Sequence, residues 1–167
     1  MFEGVALLFF PLIMALAASS DLLTMRISNK LVLILTAGFL VMALVVELPL
    51  QQFAMHVLCA FIVLVVAFGM FAMRWIGGGD AKLAAATTLW LGFGFTLPYL
   101  VYTALFGGAL TLAVLALRGM PLTPMIARFE WLSRLHNPKQ GVPYGIAMAI
   151  AGLLTYSNTV IFERLAA

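Results

Sequence analysis

Apolar residues run in long blocks along this chain, and the polar ones gather in short gaps between them. Neither the alternation of a half-buried strand nor the stripe of a soluble amphipathic helix dominates. A membrane helix needs about 20 mostly apolar residues to cross the ~30 Å hydrocarbon layer. Six blocks meet or approach that length, at about 4–23, 31–50, 53–73, 81–97, 99–117 and 142–162. The fourth and fifth are short and meet at Leu97-Pro98-Tyr99. Proline removes a helix donor and disfavours helix in the residue before it, so a tight turn is predicted there. One straight helix through both blocks would be ~55 Å long, too long for a single crossing. The first block does not read as a signal peptide, because its start, Met-Phe-Glu-Gly, carries no positive charge. The prediction is an all-α polytopic membrane protein of about six transmembrane helices, one integral-membrane domain over residues 1–167.

Composition removes the alternatives. Of 167 residues 65% are hydrophobic and 9% charged, against roughly 25% charged in an ordinary soluble domain. A soluble fold of this size has too little interior to hide so much apolar surface. A single Cys excludes a disulfide scaffold and a cysteine-rich zinc site. Lysine and arginine collect on the cytoplasmic side of short loops. Arg26 and Lys30 follow the first block, Arg74 and Lys82 flank the gap before the fourth, and Arg118, Arg128, Arg134 and Lys139 precede the sixth. Six spans with both termini outside put these eight on one face, leaving only Arg164 opposite. The net charge of +3 follows from that basic face. It points to anionic lipid headgroups as partners, not to nucleic acid.

The longest gap, 118–141, predicts a short interfacial helix. Thr123-Pro124 supplies a capping hydroxyl and a proline at the first helical position. Met125, Phe129 and Leu132 share a stripe, Glu130 and Arg134 form an i, i+4 pair, and Asn137-Pro138 stops the helix. It reads as a connector wetting one face, or as a surface that meets substrate.

Six acidic residues narrow the chemistry. Glu3, Glu47 and Glu163 read as headgroup-level charges at outer span ends, and Glu130 has its helix partner. Asp21 and Asp80 remain, both at the cytoplasmic ends of spans although 59 positions apart. A carboxylate facing lipid is expensive, so both should face the bundle interior. Two nearby carboxylates cannot both ionise easily and share one proton. The ionised member then takes a proton from water while the protonated one polarises a peptide carbonyl, which is aspartic-protease chemistry. Gly77-Gly78-Gly79 precede Asp80 and let backbone turn sharply and an extended substrate approach. Asp80 would then open a helix whose N-terminal dipole favours its ionised form, with Lys82 adding to it. A plainer reading makes the glycine turn a loop with a helix cap, and Asp21 a capping residue paired with Arg26. A small proton-coupled transporter or an assembly subunit is the competing function. Such a transporter is expected to carry acids near mid-membrane and internal repeats, and neither feature is evident.

Three segments carry a resemblance. Gly77-Gly78-Gly79-Asp80 fits the GxGD pattern of intramembrane aspartic proteases, and Ala81-Lys82-Leu83 extends it as in bacterial type IV prepilin peptidases. Asp21 through Asn29, with Arg26 in a basic stretch, resembles that family's other aspartate motif, and Val142-Pro143-Tyr144-Gly145 resembles the start of its last helix. The resemblance implies that Asp21 and Asp80 are the catalytic pair. It implies supporting roles for Gly77, Gly79, Lys82, Arg26, Asn29, Pro143 and Tyr144. It implies prepilin or pseudopilin substrates cut after a glycine at the cytoplasmic face of the bacterial inner membrane, with no metal and no cofactor. Ser28 stands where the family usually has proline, which predicts a less rigid turn. Only twenty residues precede Asp21, so the chain looks like the short, peptidase-only form of Flp/Tad-type pili (the CpaA or TadV kind). That form implies neither methyltransferase activity nor an S-adenosylmethionine site. Presenilin-like proteases share GxGD, but Ser20 stands where their tyrosine would be.

Other residues are expected to be structural. Cys59 reads as packing, His56 as remote from the aspartates, and His136 as facing lipid. Ser19 and Ser20 read as helix-interface residues. Gly92, Gly94, Gly107 and Gly108 are expected to let the fourth and fifth spans pack closely. No Gly-x-Ser-x-Gly or His-Glu-x-x-His occurs, so serine hydrolase and zinc protease readings lack support.

Overall fold

The computed structural model describes residues 2–121 and 128–166, and its regular structure is entirely helical among those residues. In chain order the helices are α1 (Phe2–Thr24), α2 (Asn29–Val45), α3 (Leu50–Ala72), α4 (Gly78–Arg118), α5 (Glu130–His136), α6 (Tyr144–Tyr156) and α7 (Val160–Ala166). Residues 6–24 of α1, together with α3 and α4, are long and apolar enough to cross a membrane. The pair α6 and α7, bent by 57° at residues 157–159, makes a fourth if taken as one span. α2 is apolar but has only 17 residues. Length and composition thus support three to four spans where the sequence predicts six.

The predicted turn at Leu97-Pro98-Tyr99 is absent, because α4 continues through Pro98. The break lies at Gly92, with φ 65° and ψ −176°. A side chain strongly disfavours that backbone conformation, whereas glycine adopts it readily. Pro98 falls in the second turn after the break, where it removes one donor without ending the helix. The break is a reversal. In a straight helix residues 87 and 99 would be ~18 Å apart, yet the Tyr99 hydroxyl lies near Thr87 and Thr103, without a well-formed hydrogen bond. Residues 78–91 form an inner arm and residues 93–118 an outer arm lying back along it.

His56 secures the reversal. Breaking the helix frees the last carbonyls of the inner arm. His56 Nδ1–H donates to the Leu89 carbonyl at 2.8 Å, and the imidazole packs over Gly92, where a Cβ would lie 2.9 Å from the ring. A carbonyl only accepts, so Nδ1 carries the proton.

The inner arm is the axis of the bundle. Trp90 is fully buried, and its indole N–H donates to the Leu35 carbonyl of α2 at 2.9 Å. Phe10 of α1, Phe39 of α2 and Tyr156 of α6 close around it, with ring centroids 5.4–6.1 Å away. α6 presents a small-residue face, Ala147, Ala151 and Gly152 among it, that admits α1 and the inner arm. Of the glycines expected to join the fourth and fifth spans, Gly107 instead receives the Tyr144 ring, and a Cβ added at Gly94 or Gly108 would meet only open space among the described residues.

Helix ends are closed by local bonds. Glu47 and Arg74 take positive φ and end α2 and α3 in Schellman turns, through Leu48 N–H to Ala43 O and Trp75 N–H to Met70 O. Arg164 donates to the Val46 and Glu47 carbonyls, so the one outlying cation caps α2. Ser28 caps the start of α2 by accepting from Lys30 N–H at 3.2 Å, with φ −67°, the value proline would impose. The turn expected to be loose is held by this bond and by Ser20 Oγ, which donates to the Arg26 carbonyl at 2.9 Å.

Thr123, Pro124 and Met125, the predicted start of the interfacial helix, lie outside the described residues. The described helix, α5, starts only at Glu130 with Phe129 as its N-cap, so Phe129, predicted on the helix stripe, lies just outside it. Arg134 and Glu130 pair at 3.5 Å, and Asn137 ends the helix as predicted.

Candidate active site

α1 carries Asp21 one turn before its end, and α4 carries Asp80 in its first turn. The 25–28 turn after α1 folds against the glycine-rich start of α4. There the Cβ of Ile27 sits 3.2 Å from where a Cβ on Gly79 would be. This contact brings the two aspartates to one end of the bundle, close enough to interact electrostatically. Asp21 is 6% exposed, and Asp80 is half-buried.

Each carboxylate accepts one backbone N–H. Gly77 N–H donates to Asp80 Oδ2 at 3.3 Å within the first turn of α4. Gly145 N–H donates to Asp21 Oδ2 at 2.7 Å across 124 positions of sequence. Gly145 lies in the first turn of α6, where N–H groups have no acceptor within the helix. A Cβ there would stand 2.9 Å from Asp21 Cβ and Oδ2, so only glycine permits the approach. Among the described residues neither aspartate forms an ion pair. The expected support of Asp80 by Lys82 is therefore replaced: Lys82 Nζ donates to Asn29 Oδ1 at 3.0 Å. That bond ties the start of α2 to the start of α4. Arg26 likewise leaves Asp21 unpaired.

Both aspartates line one cavity of about 1250 Å³. Gly77, Gly79, Lys82, Arg26, Asn29 and Tyr144 line it too, so residues of three distant segments converge. Pro143 does not line it; it is buried and precedes the first residue of α6. From the aspartates the cavity runs between α3 and the outer arm, past Ile62, Val66 and Leu100, to Cys59 and Thr96. Cys59 Sγ lies 3.1 Å from Thr96 Oγ1, a packing bond on the cavity's wall. Its mouth carries Arg26, Arg74 and Lys82. Such a space is large enough for water beside the carboxylates and for an extended chain along its apolar wall.

Two participants escape sequence reasoning. Gly145 is named only as part of the Pro-Tyr-Gly segment, and nothing local says that its N–H meets Asp21. Arg118 counts only as an inner-face cation, yet it donates to three carbonyls beside this site.

Comparison with curated proteins found no match, and neither did comparison with solved structures. The family model described as the type IV leader peptidase family matches residues 8–112, more than half of the chain and both aspartates with it, and the chain belongs to that family.

Proposed function

We propose that this membrane protein is an aspartic prepilin leader peptidase in which Asp21 and Asp80 activate water. The observation that carries the reading is that two carboxylates, from helices far apart in sequence, line one large cavity. Family membership supports peptidase chemistry, and the paired acids supply a means for it. One carboxylate is ionised and one protonated, because like charges at short range resist joint ionisation. Water attacks the scissile carbonyl carbon, giving a proton to the ionised aspartate while the other aspartate protonates the carbonyl oxygen. The resulting tetrahedral diol collapses. Its C–N bond breaks, the amine takes up the proton from the first aspartate, and the second recovers its own.

The substrate is a pilin or pseudopilin precursor of the Flp/Tad type, held with its scissile bond beside Gly77–Gly79 and its apolar part against the wall formed by α3 and the outer arm. Three cations at the mouth favour a cytoplasmic site at the inner membrane, by the charge asymmetry of membrane loops. Anionic headgroups would meet the same cations.

Leader cleavage of a purified prepilin by wild type, Asp21→Asn and Asp80→Asn tests the mechanism, with insertion and folding checked for each. Loss of cleavage in both single variants is expected. Retained turnover in either ends the two-aspartate reading. Failure of the wild type across several prepilins would move the substrate class.

A further inference from the structure

Arg118 ends the outer arm, half-buried, far in sequence from either aspartate. Its Nε donates to the Leu135 carbonyl at 2.9 Å, and its Nη2 to the Gln140 and Gly141 carbonyls at 3.0 Å each. The last two acceptors lie within five residues of Gly145. The same outer arm holds the next residues as well. The Tyr144 ring packs on Gly107, and the Tyr144 hydroxyl lies 3.3 Å from Thr111 Oγ1. Residues 135–144 are therefore pinned at several points to one helix just before they deliver Gly145.

We infer that Arg118 is a positioning residue for Asp21, acting through the 135–141 segment and the Gly145 N–H. The inference rests on the assignment of Asp21 to the reacting pair. Among the described residues the bond from Gly145 is the one long-range hydrogen bond that the Asp21 carboxylate accepts. Its donor belongs to a helix start preceded by a seven-residue stretch without regular secondary structure. Three carbonyls on one planar guanidinium fix that stretch as a single point charge cannot, because the arginine fork sets direction as well as distance. A misplacement of about 1 Å at a reacting group costs on the order of a hundredfold in rate. An arginine serving only as an inner-face cation would need charge alone, and lysine would replace it.

Two readouts on the full-length protein in lipid nanodiscs test this. The first is hydrogen exchange over 141–147 in wild type, Arg118→Ala and Arg118→Lys. Exchange of the Gly145 amide should rise about tenfold or more in both variants, with α1 and the inner arm protected as in wild type. The second is prepilin cleavage. Arg118→Ala should lower kcat roughly tenfold to a hundredfold with KM within about twofold, and Arg118→Lys should recover only part of the loss. Unchanged exchange at Gly145, a rise in KM alone, or a lysine variant equal to wild type would each overturn the inference. If Arg118→Ala fails to insert, Arg118→Lys alone decides, since it keeps the charge and loses the fork. The exchange readout does not need turnover, so it stays informative even if Asp21→Asn leaves cleavage intact and the dyad reading falls.

Discussion

The inner arm of α4, residues 78–91, and its outer arm, residues 93–118, come from one continuous apolar stretch and live in different surroundings. Residues 85–91 of the inner arm are all buried, Thr87, Thr88 and Trp90 completely. The outer arm leaves Leu97 70%, Leu105 63% and Leu112 69% exposed. The inner arm is ~21 Å long, short of the ~30 Å hydrocarbon layer. Packed by protein on every side over 85–91, it carries two fully buried threonines there and Asp80 on the cavity at its start. The outer arm is longer, bulkier in Leu and Phe, and walls the cavity. Composition separates them, because the alanines and threonines of the inner arm let helices approach, while large aliphatic and aromatic residues dominate the outer arm.

Four outcomes would break or sharpen that contrast. Asp80→Asn at the start of the inner arm should lower leader cleavage by about 10²–10⁴-fold, the range for loss of a positioned acid or base, read as kcat on purified prepilin. Trp90→Ala should remove the hub between α1, α2 and α6 and destabilise the fold by about 3–5 kcal/mol, read by thermal unfolding in detergent. Gly92→Ala should place a Cβ against the His56 ring at positive φ, costing about 2 kcal/mol from the backbone alone. It should also loosen the reversal, seen as faster exchange in both arms. Leu105→Ala on the outer arm should change stability by no more than about 0.5 kcal/mol. A large loss there would mean that the outer arm is covered by protein and not by lipid.

Legibility in the sequence followed the range of the interaction. Helical blocks in lipid show as runs of apolar residues, because each backbone group must be satisfied within its own helix. The Glu130–Arg134 pair and the stop at Asn137 are likewise local, and they lie where the sequence put them. Pro98 misled because proline penalises a helix only through one donor and one nearby carbonyl. The true reversal needed a glycine at positive φ and a histidine 36 positions earlier to receive the freed carbonyl. His56 is expected from sequence only to be structural and remote from the aspartates, and its particular task is visible only once α3 and α4 are packed. Lys82 was assigned to Asp80 by nearness in sequence, but the helix turns its amine toward Asn29. Gly145 and Arg118 gave no sign of their bonds, since their partners lie 124 and up to 23 positions away.

By itself the sequence determined the class of the molecule, a helical membrane protein, and singled out the two acids proposed for its chemistry. Both follow from transfer free energies that each residue carries with it, low for Leu and Phe in lipid and high for an aspartate. Tertiary structure decided the rest: where α4 folds back, which arm is core, and which N–H meets Asp21. Those outcomes depend on approach distances between separate helices, and a glycine's missing Cβ becomes decisive only when another chain segment comes to occupy its place.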